Sequence, residues 1–437
     1  VVATITAGFL VSGPKLFDVG VRTGGRVRRI AIDTRPLRIP AFRRLWLSTA
    51  ITAVGGQFTV VAVPKQVFDI TGSSAYVGLT GAFGLVPLLI FGLWGGAIAD
   101  AMDRRTVILV TNVGVALTSV AFWAQAAAGM DNVWLVLCLL AVQQAFIAIN
   151  MPTRTAAAAR LVPHELLPAA TALTSTVGSF GMVFGPLLAG TLIPLLGLPV
   201  LYLADSAGLV AATVIVFGIP KLPPLDGLKR RAGLKDIADG FRYLAAKNVL
   251  LASFLLDIIA MVAGMPRALF PELAERTFGD PPGGGIALGL LYAAIPIGAL
   301  LSGIASGWIG NIHRHGVGVT IAVCAWGAAV VGFGLAHTLW LAVVFLALGG
   351  AADMISMVYR SSILQSDATD EMRGRMQGVF IVVVAGGPRI ADLVHGWSAA
   401  AVGTTAAAAG GGVLVIILTV VAVACLPAFW RYHAKSG

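Results

Sequence analysis

Four aspartates sit inside long apolar stretches of this chain: Asp205, Asp257, Asp353 and Asp392. A carboxyl group in such surroundings either exchanges a proton or pairs with a cation, because burial opposes its charge. Arg389 lies three residues before Asp392, on the same helix face, and His395 follows one turn later. That spacing predicts an ion pair, either structural or part of a site. A paired acid stays ionised and carries protons poorly near neutral pH. Asp257 has no basic residue within a helical turn, and Arg267 is ten residues on, about 15 Å along a helix. Asp257 therefore ranks first as proton-coupling residue and Asp353 second, with Asp392 retained as a candidate. Asp205 either titrates or hydrogen-bonds a neighbouring helix. Arg267 docks an anionic or catechol-rich group, or marks the lipid–water boundary. Arg389, Gln57 and Met261 complete the candidate substrate-binding set. Met261, Met265, Met354 and Met357 suit an adaptable cavity or plain packing.

Other chemistries find no footing in the sequence. It has no Gly-Lys-Ser/Thr phosphate loop, which argues against a self-contained ATP-driven pump. His313-Arg314-His315 has no Cys or Glu nearby to complete a metal site. Gly283-Gly284-Gly285 is a weak phosphate candidate, and no Ser/His/Asp set can be assembled. Cys138, Cys324 and Cys425 each sit in an apolar run with no metal-ligand spacing. The reading is therefore no enzyme, no cofactor and no metal. A receptor or scaffold would need a sizeable soluble domain, and none is evident.

The elements that carry these residues follow from composition. Of 437 residues, 58% are apolar and 11% charged, against about 25% charged in a soluble domain. Mean hydropathy is +0.90. So much apolar surface must face lipid, which excludes disorder and an ordinary soluble enzyme. At roughly 20 apolar residues per crossing, the sequence predicts twelve transmembrane helices. The first six cover about 45–66, 76–99, 106–128, 133–153, 168–193 and 199–219. The second six cover about 249–270, 286–310, 317–337, 339–360, 377–400 and 404–429. This is an all-α membrane protein of two six-helix, pseudo-symmetric bundles, 45–219 and 249–430. They are flanked by an arm (1–44), a linker (220–248) and a tail (431–437). Two equal halves are the usual plan of a secondary transporter. The apolar start Val1–Gly13 is short, lacks a preceding basic flank and does not read as a signal peptide.

Charge sets the orientation. Under this span count 26 of the 30 Lys and Arg fall on one side, Arg154 and Arg360 included, and only Lys65, Arg267, Arg276 and Arg389 lie elsewhere. The positive-inside rule makes that side cytoplasmic, with both termini on it. The net charge of +10 is thus mostly a matter of topology, and no nucleic-acid partner is required. Leu234, Ile237, Phe241 and Leu244 have helical spacing beside Lys235 and Arg242. They read as an amphipathic helix on the membrane surface.

The loop after the second span runs from Gly96 through Asp100 to Arg104-Arg105, with Ala101 and Asp103 at its two unusual positions. It resembles the signature of the major facilitator superfamily. The resemblance implies a lock of Gly96, Asp100, Arg104 and Arg105 that holds the cytoplasmic side shut. The residues read otherwise as topology-setting arginines beside a helix cap. Gly181, Gly185-Pro186 and Gly190 in the fifth span resemble the superfamily's antiporter motif. Pro186 kinks the helix, and the glycines admit a close neighbour. Asp69-Ile70-Thr71-Gly72-Ser73, Leu161-Val162-Pro163, Gly240 to Leu244 and Met372-Arg373-Gly374-Arg375 are similar to the drug:proton antiporter branch. Pro266 to Pro271 and Leu291 to Pro296 resemble its siderophore-exporting members. The resemblance implies a monomeric, proton-coupled exporter of small organic molecules in the cell membrane. Its cargo is a siderophore of the enterobactin type or, alternatively, a broad range of antibiotics. Uptake transport is formally possible, but the Gly185-Pro186 motif favours antiport.

Overall fold

The computed structural model describes residues 33–224, 234–307, 314–367 and 369–433. Most of the arm, the linker segment 225–233 and His313 lie outside them, as do the side chains of Gly96 and Asp100. In lipid a chain must satisfy its backbone internally, so each apolar run closes into a helix. The crossings of the first half are α1 (Pro40–Thr71), α2 (Ser74–Ala101), α3 (Arg104–Ala127), α4 (Val133–Leu161), α5 (167–196) and α6 (198–217). Those of the second half are α7 (Asn248–Gly264), α8 (Ile286–Ile304), α9 (His315–Gly334), α10 (Leu339–Asp367), α11 (Asp370–Val402) and α12 (Thr404–Cys425).

Ten of the described stretches are long and apolar enough to cross a membrane. One of them, His164–Phe217, crosses twice because Gly197 breaks it with φ 77° and ψ 164°. Gly181 and Gly185 meet Ala53 and Gln57 of α1, so α5 runs parallel to it. Asp205 and Gly218 meet Gly55 and Arg44, so α6 runs back. Gly403 joins α11 to α12 with nearly the same angles, φ 86° and ψ 159°, at the matching place in the second half. With the more charged α11, the crossings number twelve, as the apolar runs predict.

Local chemistry fixes the helix ends. Gly72 closes α1 in the left-handed region. Ser73, Asp103 and Asn132 cap α2, α3 and α4 by accepting from backbone N–H groups. One expectation fails: the seventh span does not continue to residue 270. It ends at Gly264, because Pro266 disfavours helix at the residue before it. A 3₁₀ turn, Arg267–Leu269, and a short helix, Phe270–Arg276, follow. The linker forms the helix Leu234–Ala245. Its Tyr243 hydroxyl accepts from the Thr369 N–H at the start of α11.

We call the face bearing the linker the terminal face and the opposite one the distal face. The halves meet where α2 packs on α11 and α5 on α8. Bonds cross this seam at the distal face: Lys65 to Glu275, Ser74 Oγ to Glu272 at 2.5 Å, and Arg276 Nη2 to the Gly72 carbonyl at 3.1 Å. Lys65 also bonds Asp69 at 2.5 Å.

Candidate functional site

The residue types singled out by sequence meet at mid-seam. Arg389 extends from α11 one position after Pro388. Gly81 and Gly84 of α2 leave room for it: a β-carbon added at Gly84 would lie 2.8 Å from Arg389 Nε. The guanidinium therefore reaches the other half. Nη2 donates to Gln144 Oε1 of α4 at 2.7 Å, and Nη1 to the Ala385 carbonyl at 3.3 Å. The expected Arg389–Asp392 ion pair does not form among the described residues. Sequence spacing puts the two on one face, but the glycines of α2 draw the guanidinium across the seam.

Asp392 is left with a buried Oδ1 that has no hydrogen-bond partner among the described residues. It lies within electrostatic reach of both Arg389 and Arg267. Tyr292 of α8 is within reach of Asp392 and Arg267 as well. His395 turns away, packing on Gly411 of α12 and the end of α7. The break after α7 thus has a use: it turns Arg267 toward the seam. Arg389 bonds one amide of the first half, and Asp392, Arg267 and Tyr292, from three elements of the second half, lie within electrostatic range of one another beside it. Such a set can hold an anionic or catechol-bearing molecule by charge and hydrogen bonding.

A second polar cluster lies inside the second bundle. Asp257, 2% exposed, forms an ion pair with Arg360, 4% exposed. Arg360 Nη2 also bonds Asp353 at 3.5 Å. Asp257 has no basic neighbour along its own helix, and its cation comes from another one. A helical-turn search along α7 cannot see a partner on α10. The positive-inside count puts Arg154 and Arg360 on the cytoplasmic side, at the ends of the expected spans 133–153 and 339–360. Both belong to helices that run further than their apolar cores. Two acids sharing one buried guanidinium can bind and release a proton, since protonating one leaves the other to hold the cation.

The remaining candidates are spread out. Gln57 packs against Gly185, and Met261 against Gly387. Gly181 and Gly185 face α1 within their own half, whereas Gly190 faces Gly285 and Gly289 of the other. Arg104 Nη1 and Arg105 Nη2 bond the carbonyls of Ala156 and Phe217, both in the first half. Asp205 accepts from Thr59 at 3.0 Å and Ser119 at 2.8 Å, so it hydrogen-bonds its neighbours. Sequence reasoning passed over Gln144, Glu272, Glu275 and Arg154. For Arg154 a signal existed: Met151-Pro152-Thr153-Arg154 and Met357-Val358-Tyr359-Arg360 repeat Met-x-x-Arg in the fourth span of each half. Among the described residues no three His, Cys, Asp or Glu are grouped to hold a metal.

The chain was compared with known proteins. Residues 32–434 match the family described as transmembrane secretion effector. The enterobactin exporter EntS of Shigella boydii serotype 18 is 30% identical over 346 residues, covering 78% of this chain and 81% of that protein. Its counterpart in Citrobacter koseri matches at the same identity and coverage. A solved bacterial homologue of the lysosomal transporter Spinster, inward-facing and unoccupied, superposes with a TM-score of 0.65 at 17% identity, covering 91% of this chain and 96% of that one. The nucleoside transporter NupG does so with a TM-score of 0.70 at 13% identity, covering 90% and 99%. At these identities the two solved structures speak to the fold alone.

Proposed function

The chain belongs to the transmembrane secretion effector family within the major facilitator superfamily, and from that membership we propose that it exports a siderophore of the enterobactin type by alternating access. The observation that carries this reading is the mid-seam cluster of Arg267, Tyr292, Arg389 and Asp392 opposite Gln144. It is polar, it lies where the halves meet, and the distal bonds seal it on one side. The terminal face is cytoplasmic in this reading, so cargo enters from the cytoplasm and leaves distally when the Lys65–Glu275 seam parts. The protein works as a monomer. Gly190 and Gly289 support the rocking, since backbone can meet backbone there and part again.

Protons supply the drive. Asp257 and Asp353 share Arg360, and protonating Asp257 frees the guanidinium to shift toward Asp353, which couples proton entry to movement of α7 against α10. The membrane potential adds about 2.3 kcal/mol per charge for each 100 mV. The test is enterobactin uptake into inverted membrane vesicles, with an acid interior, with and without a protonophore. Uptake that collapses with the protonophore supports the reading. Uptake indifferent to the gradient removes the coupling, and absence of uptake removes the cargo.

A further inference from the structure

Two arginines occupy matching stations in the two halves. α4 and α10 are each 29 residues long, and Arg154 and Arg360 each lie 21 residues after the first. Their partners also come from matching helices: Arg360 meets Asp257 of α7, and Arg154 meets Ser48 and Thr49 of α1. The partners differ in charge. Arg360 has two carboxylates. Among the described residues Arg154 has only neutral acceptors: Asn150 Oδ1 at 2.6 Å, Thr49 Oγ1 at 3.0 Å, Ser48 Oγ at 3.2 Å and Asn112 Oδ1 at 3.0 Å. No ion pair neutralises Arg154 among the described residues.

Beside it Asn112 is 2% exposed, and among the described residues its Nδ2 has no hydrogen-bond partner. A buried amide donor without an acceptor is costly, and a cation deep in a bundle without a counter-charge is more so. Both deficits have one sign and lie on one amide–guanidinium contact. Each would be met by the same object, a negatively charged oxygen. Arg154 as a residue keeps a minor exposed part, and an anion has to approach from that side.

We propose that Arg154 and Asn112 form an anion-binding subsite of the first half, built for a carboxylate or a deprotonated catechol. Resting on the export reading above, the anion is the acidic group of the cargo. Asp257 already fills the equivalent position in the second half, so the subsite exists in the first half alone. The repeat thus divides the labour: one arginine is neutralised from within and the other by what the protein carries.

The test needs no assumption about cargo. The full-length protein is purified in nanodiscs and its thermal unfolding followed with benzoate and with benzamide, a neutral molecule of the same shape. Benzoate is expected to raise the wild-type midpoint by about 2 °C or more and benzamide by less than half as much. Arg154→Gln should lose the difference. Should that variant fail to fold, Asn112→Asp keeps the shape, replaces a donor that has no partner, and sets a carboxylate against the guanidinium as Asp257 does for Arg360. It should unfold at a higher temperature without ligand and ignore benzoate. A wild type that does not respond to benzoate, or an Asn112→Asp variant that responds like wild type, overturns the subsite. A benzoate response without enterobactin uptake overturns the cargo instead and leaves the subsite standing.

Discussion

Lys65 of the first half is bonded to Glu275 of the second. It is 1% exposed although it sits near the distal end of α1. Its ammonium also lies 5.5 Å from the Phe68 ring, and the Arg276 guanidinium lies 5.3 Å from the same ring. The distal seal is therefore an ionic latch on an aromatic bed. Glu275→Ala leaves Lys65 its Asp69 partner, so the loss is partial, on the order of 1–2 kcal/mol. That corresponds to roughly a 5- to 30-fold shift toward a distally open state. Spin labels at Met130→Cys and Thr277→Cys, with the native cysteines replaced, report it as growth of the longer distance. An unchanged distance distribution would show that the latch does not hold the seam.

The Asp257–Arg360 pair separates stability from coupling. Asp257→Asn alone leaves a buried guanidinium with Asp353 at 3.5 Å as its remaining acid. Breaking a buried pair from one side costs about 3–5 kcal/mol. Asp257→Asn with Arg360→Gln should recover more than half of that loss in thermal unfolding. The same single variant tests the proton route. It should still exchange enterobactin across a vesicle membrane yet gain nothing from a pH gradient. Gradient-driven uptake at the wild-type level would reassign the proton to another acid.

At Gly289 the constraint is backbone against backbone. A β-carbon there would lie 2.7 Å from the Pro186 carbonyl and 3.0 Å from Gly190 Cα. Neither neighbour is a side chain that can swing away, so Gly289→Ala has to push α8 off α5. Alanine is the better helix former by about 1 kcal/mol, and the isolated helix is not weakened. We expect a folded protein held open distally, with export reduced about tenfold. Vesicle uptake and the same spin-label pair measure the two effects. Export at the wild-type rate would show that α5 and α8 need not close this tightly.

These predictions rest on contacts of two kinds, and only one of them is legible in sequence. The apolar runs give the twelve crossings, and the Gly197 and Gly403 turns fall where those runs pause. The reversal at Gly197 follows from a conformation that glycine alone adopts readily. Partners across helices are another matter. Asp257 and Arg360 are 103 positions apart, and no periodicity along either helix announces the other. The expected spans stop at 153 and 360, at the level of Arg154 and Arg360, whereas α4 and α10 continue to Leu161 and Asp367. Arg389 and Asp392 have textual spacing for a pair, but Gly81 and Gly84 on a different helix decide where the guanidinium goes. Spacing within a helix fixes the face a residue occupies; the small residues on the helix opposite fix what it touches.

The Arg389–Gln144 bond gives the last prediction, because its value changes as the halves part. In the closed seam the Arg389 guanidinium reaches a neutral acceptor of the other half at 2.7 Å. When the halves separate distally, water replaces Gln144 at little cost. Gln144→Leu removes the acceptor only where water is excluded, so it penalises the closed state selectively. A hydrogen bond to a charged group contributes about 1.5–3 kcal/mol, which corresponds to roughly a 10- to 150-fold shift toward the open form. Gln144→Glu keeps an acceptor and should leave the closed state populated. Glutamate keeps the shape of glutamine and leucine does not, so Gln144→Met, unbranched, of similar length and without a strong acceptor, is the packing control and should behave as Leu does. The spin-label distances should lengthen for Leu and Met and not for Glu. If they lengthen for Leu but not for Met, Gln144 is a packing residue, and the seam is held by the distal latch and the glycine contacts without its hydrogen bond.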